Sequence, residues 1–245
     1  TARAFLGWAR EQYPTRYKAM HMVWVRSLRP SRARGEQATL IKREIYTLEE
    51  VLTLVRAPAA TTAQRRIRAA VAMLFLSGMR IGAFTSLTLQ CVDLPNRRIL
   101  QLPELGVHTK NSKAAETWLL NIPELLGVVQ EWDDELRANL PETGYWYAQL
   151  SPWGEMTTQA RRSSRGNVRG EFGEHLRDLC ERAGVEYLSA HKFRHGHAVY
   201  GLKRAQTVAQ MKAISQNLMH SNMGITDGIY GKLVNDDVRN FITGL

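Results

Sequence analysis

Apolar residues recur at every third or fourth position through much of the first 28 residues of the chain. The positions with this spacing are Phe5, Trp8, Ala9, Met20, Val23, Trp24 and Leu28. Such a period is typical of amphipathic helices. The segment RPSRARGEQ at 29–37 interrupts the pattern with a proline, a glycine and arginines. We therefore predict a helical segment over 1–28 and a basic linker over 29–45.

A second helical unit is predicted from residue 46 onward. The segment TLEE at 47–50 is a capping box, in which the Thr47 hydroxyl caps the first turn and the Glu50 carboxylate reaches back. A longer helix, rich in apolar residues, is predicted over 63–77 and ends at Gly78, since glycine commonly follows the last helical residue. The segment IGAFTSLTLQCVDL predicts a short helix that leads into a turn.

The pattern then changes from helical to β-rich. RRILQL and ETWLLNIP alternate or favour strands, which predicts short strands on both sides of the loop HTKNSK. The basic segment RRSSRGNVRG at 161–170 is predicted to be a loop. Further helices are predicted over 124–137, 171–183, 191–203, 206–218 and 236–243. Together these elements predict a mainly α fold with a small β-sheet or hairpin (α+β).

The charge of the chain favours a polyanionic partner. The 245 residues carry a formal net charge of +10 at pH 7, and the isoelectric point is about 9.9. Residues 1–46 hold ten Lys or Arg against three Asp or Glu, so the N-terminal part is the more basic one. Nucleic acid is the partner that this charge suggests first.

Cysteine use and hydropathy indicate a cytoplasmic protein, which with DNA as partner would be associated with the nucleoid. Cys91 and Cys180 are the only cysteines, too few for a disulfide framework or a zinc site. The longest strongly apolar run, Ala69–Leu76, is too short to cross a bilayer, so no membrane partner is expected. The chain starts at Thr1 and shows no signal peptide, and we expect it to be part of a longer protein.

The segment HKFRHGHAVYG at 191–201 concentrates proton-handling and anion-binding side chains at the start of a predicted helix. His191 and His195 are one helical turn apart, as two metal ligands can be. No acidic residue lies in the segment, however, and Lys192 and Arg194 would repel a cation. A phosphate suits it better, because His191 and Arg194 are three residues apart and are expected on one helix face. No metal is therefore expected.

Four segments in a fixed order carry a resemblance to a known family. They are LSGMRIGAFTSLTL (76–89), HTKNSK (108–113), HKFRHGHAV (191–199) and LMHSNMGITDGIY (218–230). Together they resemble the catalytic boxes of the tyrosine recombinases, the phage-integrase-type site-specific DNA recombinases. The resemblance runs from about residue 46 to the C-terminus, with the two later boxes the most specific and the lysine loop the least.

The resemblance implies a set of six catalytic residues. They are Arg80, Lys110, His191, Arg194, His220 and Tyr230. Lys113 competes with Lys110 for the role of the family's lysine. The implied reaction is the cleavage and rejoining of DNA through a 3′-phosphotyrosyl link, with no ATP, cofactor or small-molecule substrate.

The chemistry explains why the nucleophile needs partners. A phenol with a pKa near 10 is almost wholly protonated at pH 7, so Tyr230 needs nearby cations and a proton acceptor. His191 is expected to be the general base or a proton relay. Lys110 is expected to protonate the departing 5′-oxygen, because an alkoxide is a poor leaving group.

The remaining residues are expected to bind the phosphate. Arg80 and Arg194 would hold its two non-bridging oxygens, whose charge grows as the phosphorus becomes five-coordinate. His220 would be a further donor. The two arginines would supply the positive charge that a metal supplies in other phosphoryl-transfer enzymes.

Two departures from the family's pattern affect the expected geometry. The family commonly has an acidic residue three positions after the first arginine, where this chain has Ala83. The spacing from His220 to Tyr230 is ten residues, one more than is usual, and Gly224 or Gly228 would accommodate the extra residue.

The expected partner is double-stranded DNA, contacted mainly by basic side chains outside the catalytic set. The residues expected to bind it are Arg29, Arg32, Arg34, Lys113, Arg161, Arg162 and Arg165. A tail helix is predicted from about residue 235, with Asn235 as its N-cap. Its apolar stripe consists of Val238, Phe241, Ile242 and Leu245. The family resemblance implies that this helix docks on a neighbouring copy, giving a homotetramer on DNA.

The expected organisation has three parts. Residues 1–28 form the C-terminal part of a helical DNA-binding domain, 29–45 the linker, and 46–245 the catalytic domain. Integration or excision of a mobile element is the expected role. Two alternatives remain. One is relaxation of DNA in the manner of a type IB topoisomerase, although that family typically lacks the histidine of His-x-x-Arg. The other is a DNA-binding relative without catalysis.

Overall fold

The computed structural model describes residues 2–27, 45–158 and 165–219 of the chain. The side chains of 165–167 are outside that description. The chain divides into two units, residues 1–43 and 44–245. Residues 29–44 of the predicted linker and the predicted tail helix lie outside the described residues.

The first unit contains two helices where the sequence pattern predicts a helical segment. They are α1 (Ala2–Gln12) and α2 (Met22–Ser27), separated by a turn region. The guanidinium of Arg10 donates to the carbonyls of Tyr17 at 2.5 Å and Lys18 at 2.9 Å, which ties the turn to the end of α1.

The second unit is built mainly from helices, as predicted. Its helices are α3 (Leu48–Arg56), α4 (Thr62–Ser77), α5 (Ile81–Phe84), α6 (Pro123–Asn139), α7 (Arg165–Ala183), α8 (His191–Arg204) and α9 (Val208–Asn217). Helix α4 is central, because it packs against α3, α6, α7 and α8. Its residues from Ala69 to Ser77 are all buried, as expected for the axis of the core.

Two small antiparallel sheets complete the described part of the unit. The strands β1 (Val92–Asp93), β2 (Arg98–Gln101) and β3 (Ala115–Trp118) form one sheet in the order β1-β2-β3. Ile99 pairs with Thr117 in its centre. The strands β4 (Gln149–Leu150) and β5 (Met156–Thr157) form the other. The long connection between β2 and β3 contains the lysine loop.

Two local predictions at helix ends are confirmed. Thr47 and Glu50 form the capping box, with the Glu50 amide donating to Thr47 Oγ1 at 3.2 Å and the Thr47 amide donating to Glu50 Oε2 at 2.8 Å. Gly78 ends α4 in the left-handed conformation, with φ of 61°. Both features depend on neighbouring residues alone.

One local prediction is wrong. Residues 165–170, which the sequence pattern assigns to a loop, are the first turns of α7. Val168 and Phe172 are buried against the main core. The adjacent Glu171 forms an ion pair at 2.6 Å with Arg66 on α4. Packing and an ion pair with a distant helix thus stabilise a helical start that its polar composition disfavours.

Candidate active site

Arg80 lies at a sharp corner between α4 and α5. It precedes the first residue of α5 in an extended conformation, with φ of −76° and ψ of 142°. The corner is crowded, since a Cβ on Gly78 would lie 2.7 Å from Cδ2 of His197 and 2.7 Å from Cδ2 of Leu218. Helices α8 and α9 therefore converge on the end of α4, two residues before Arg80.

Arg194 connects these three helices from inside the protein. Its side chain is 3% exposed. Nη1 donates to the carbonyl of Gly78 at 2.6 Å, and Nη2 donates to the carbonyl of Leu218. One buried guanidinium therefore joins the backbone before Arg80 to the backbone at the end of α9.

The structure separates two side chains that the sequence pattern places on one face of α8. His191 is exposed and lines a cleft, whereas Arg194 is buried and is absent from the cleft lining. The difference arises because His191 is the first residue of α8 and lies at the exposed end of the helix. Arg194 extends into the protein, towards the Gly78 carbonyl. The two remain close enough for the charge of Arg194 to act on His191.

A cleft of about 510 Å³ brings together three of the predicted catalytic side chains. Arg80 enters it from the α4–α5 corner, Lys110 from the β2–β3 connection and His191 from α8. His108 and Arg169 add further basic groups, and no described residue of the lining is acidic. Such a cleft suits an anion.

The surroundings of His191 favour the neutral form of its imidazole. Partial desolvation of the imidazole by its surroundings lowers the pKa of His191 below its usual value, and the positive charges of Arg194, Arg80 and Lys192 lower it further. A neutral imidazole near pH 7 is able to accept a proton.

The lysine loop is tied to the α4–α5 corner through Ser86, a residue whose role the sequence alone does not reveal. The amide of His108 donates to Ser86 Oγ at 2.8 Å, and that hydroxyl lies within hydrogen-bond distance of the Gly82 and Ala83 carbonyls. The backbone turns sharply beside Lys110, with positive φ at the next two residues, 60° and 50°. Lys110 lines the cleft, and Lys113 is exposed and does not.

Ala83, which stands where the family commonly has an acidic residue, is 2% exposed and lines the cleft. Next to it, Nη2 of Arg169 lies 2.5 Å from the position that a Cβ on Gly82 would take. Near Arg80, this chain thus has the Arg169 guanidinium beside Gly82 and no acidic side chain at position 83.

The other predicted site residues lie outside the described residues or their described side chains. His220 and Tyr230 follow the last described residue, and Met219, which lines the cleft, directly precedes His220. Arg165 lies in the first turn of α7, and its side chain is not described. The predicted DNA-binding residues outside the description are Arg29, Arg32, Arg34, Arg161 and Arg162.

The described residues contain neither a cluster of metal-ligating side chains nor a membrane-spanning helix. Ranges 2–27, 45–158 and 165–219 contain no group of three His, Cys, Asp or Glu side chains placed to hold a metal ion. In the same ranges, no helix has the length and hydropathy needed to cross a membrane. Cys91 and Cys180 are both buried free thiols.

Comparisons with known proteins match the fold and the sequence to one family. The model of the phage integrase family matches residues 44–235. A search of curated proteins found no match. A crystal structure of XerA recombinase is 21% identical, with a TM-score of 0.57, over 82% of this chain and 64% of that one.

Two further solved structures are similar in fold. A structure of the Tn1549 transposon integrase in complex with circular intermediate DNA is 16% identical, with a TM-score of 0.55, over 99% of this chain and 76% of that one. A lambda integrase dimer bound to a COC′ core site is 14% identical, with a TM-score of 0.57, over 95% of this chain and 74% of that one. This chain spans less than two thirds of the length of XerA.

Proposed function

Because the chain belongs to the phage integrase family, we propose that it is a site-specific DNA recombinase that cleaves and rejoins DNA through a 3′-phosphotyrosyl intermediate. The observation that carries the proposal is the cleft that Arg80, Lys110 and His191 share. These residues are up to 111 positions apart in the sequence. Their meeting in a cleft whose described lining has no acid favours phosphate chemistry.

In the proposed reaction, the Tyr230 oxygen attacks phosphorus and the bond from phosphorus to the 5′-oxygen breaks. The phenolic proton passes to the neutral imidazole of His191. Lys110 gives a proton to the 5′-oxygen, and Arg80 stabilises the charge on the non-bridging oxygens. Rejoining is the reverse step, with the 5′-hydroxyl of another strand as the attacking group.

In this proposal, Arg194 positions other residues of the site. Its guanidinium donates to the carbonyls of Gly78 and Leu218, so it holds the corner that presents Arg80. Its positive charge also lowers the pKa of His191, in addition to the larger effect of desolvation. His220 is proposed as a further donor to the phosphate.

Covalent capture tests the reaction. A pool of nicked duplexes with a randomised core is incubated with the protein in EDTA, and adducts that survive denaturation are sequenced. We expect adducts on a subset of sequences, and none with Tyr230→Phe. DNA binding without adducts would instead support the non-catalytic alternative. Relaxation of a supercoiled plasmid without strand exchange between two duplexes would support the topoisomerase alternative.

The organisation of the complex is part of the proposal. Residues 1–28 and 46–245 would clamp a duplex, with the linker over 29–45 along its backbone and the basic residues named above on phosphates. The tail helix from about 235 would dock on a neighbouring copy to give a tetramer on DNA in the cytoplasm, at the nucleoid. The lambda integrase structure is a dimer on DNA. Gel filtration of a chain ending at Val234 tests the docking, since an unchanged DNA-bound oligomer contradicts it.

A further inference from the structure

Arg169 lines the cleft but lies outside the four segments that resemble the family's motifs. It lies on α7 and lines the cleft beside Val168. Its guanidinium covers Gly82, and any side chain there would displace it, since Nη2 is 2.5 Å from the Cβ position. Among the described residues, Arg169 has no hydrogen-bond or ion-pair partner.

The turn of α7 that carries Arg169 is firmly held. Two residues further on, Glu171 pairs at 2.6 Å with Arg66, which is 1% exposed. Arg66 also donates to the Ala148 carbonyl at 2.5 Å and lies 4.3 Å from the centre of the Tyr147 ring. The backbone that carries Arg169 is therefore fixed, and binding an anion restricts mainly the side chain of Arg169 itself.

The cleft has more room and more charge than one phosphate requires. Its volume is about 510 Å³, and five of its described lining residues are basic. A phosphodiester has two non-bridging oxygens, and the proposed function assigns Arg80 to them, with His220 as a further donor. The Arg169 guanidinium matches a further pair of phosphate oxygens.

We propose that Arg169 binds a second backbone phosphate of the cleaved strand, next to the scissile phosphate at Arg80, and that Gly82 lacks a side chain so that this guanidinium has room. The proposal rests on the proposed function, which supplies the DNA. It assigns α7 a role in fixing the register of the strand, because two neighbouring phosphates locate a backbone better than one.

The test measures DNA binding, which does not depend on cleavage. A sequence captured as above, or random-sequence duplex if none is captured, is titrated by fluorescence anisotropy over a range of KCl concentrations. Arg169→Gln is expected to weaken binding about tenfold and to lower the slope of log affinity against log salt by about one. Gly82→Ala, which displaces the guanidinium, should act in the same direction. Lys203→Gln removes one exposed charge outside the cleft lining and is the matched control.

A second arm locates the contact. A neutral methylphosphonate replaces one phosphate at a time, and non-additivity with Arg169→Gln marks the phosphate that the side chain binds. We expect it at the neighbour of the scissile phosphate. Non-additivity at the scissile phosphate, additivity at every position, or equal losses in Arg169→Gln and Lys203→Gln would overturn the inference. Absence of covalent capture with this binding pattern intact would instead count against the proposed function alone.

Discussion

Asn217 and Trp118 are joined by two reciprocal hydrogen bonds. The Trp118 amide donates to Asn217 Oδ1 at 2.7 Å, and Asn217 Nδ2 donates to the Trp118 carbonyl at 3.0 Å. Trp118 ends β3, one of the two edge strands of the three-stranded sheet. One side chain at the end of α9 thus acts as a neighbouring strand would, and fastens α9 to the sheet.

Asn217→Ala is expected to lower the free energy of unfolding by about 1 kcal/mol, because two backbone groups lose their partner at a site that water reaches. Urea denaturation measures the change. Gln216→Ala, at an adjacent exposed position, is the control and should change it by less than about 0.5 kcal/mol. Equal losses in the two variants would contradict a specific role for the amide pair.

Arg194→Lys is expected to lower the free energy of unfolding by about 1–3 kcal/mol, although the charge is kept. A single ammonium lacks the planar fork that reaches the Gly78 and Leu218 carbonyls together. Arg204→Lys is the control on the same helix, because the Arg204 cation lies over the Tyr200 ring at the exposed end. If both variants unfold at the wild-type urea concentration, Arg194 does not hold the corner.

Gly78→Ala and Gly127→Ala should have opposite effects. At Gly78, φ is positive and a Cβ would meet His197 and Leu218 at 2.7 Å, so a loss of about 2 kcal/mol is expected. Gly127 lies within α6 with open space around it, and alanine there should add about 0.5–1 kcal/mol through lower backbone entropy of the unfolded chain. Thermal or urea unfolding distinguishes the two, and a stable Gly78→Ala protein would contradict the crowding.

His197 makes stability depend on pH. Complete burial lowers its pKa to about 4, although its Nδ1–H donates to the Phe75 carbonyl at 2.8 Å. In the unfolded chain, His197 therefore binds a proton as the pH falls through about 6.5, whereas in the folded chain it stays neutral until about pH 4. The stability that neutral His197 contributes is fully present above pH 6.5 and is lost as the pH falls towards 4. The free energy of unfolding decreases by about 3 kcal/mol over this range.

Nuclear magnetic resonance of the His197 ring measures its pKa directly in the folded protein. His197→Asn, which keeps a donor for the Phe75 carbonyl, should reduce the dependence of unfolding free energy on pH in this range. A ring that titrates near pH 6.5, or an unchanged dependence in the variant, would contradict the prediction.

His191 is expected to set the acid limb of the cleavage rate. Because its pKa is lowered, the midpoint of the fall in the rate of covalent adduct formation should lie below pH 6.5, the ordinary value for histidine. Lys192→Gln removes one of the charges that lower this pKa, so the limb should move to higher pH. Lys203→Gln, at the far end of α8, should leave the limb in place. A limb that does not respond to Lys192→Gln argues that another group accepts the proton.

Local sequence rules account for much of the fold. The capping box at Thr47 and the end of α4 at Gly78 follow from two or three neighbouring residues, and both were predictable. The start of α7 was not, because it depends on the ion pair between Arg66 and Glu171, which are 105 residues apart. Contacts across such a distance leave no periodic signal in the chain.

The candidate site shows the same division. The order of motifs predicts Arg80, Lys110 and His191, and the cleft contains all three. The inward turn of Arg194 follows from the position of the Gly78 and Leu218 carbonyls, which no spacing rule on α8 encodes. Arg169 was missed as a cleft residue because its segment reads as a polar loop.

The apolar contacts between α8 and α9 form a cluster of their own. Ala198 and Leu218 are its buried members, with Ile214 packed against them, apart from the larger core around α4. Among the described residues, α9 is thus held by a smaller apolar cluster than α4 is. Amide hydrogens of α9 should exchange with deuterium through a local opening that leaves α4 closed. Such an opening would break the hydrogen bond from Arg194 to the Leu218 carbonyl, so the cleft would lose its shape while the rest of the domain stays folded.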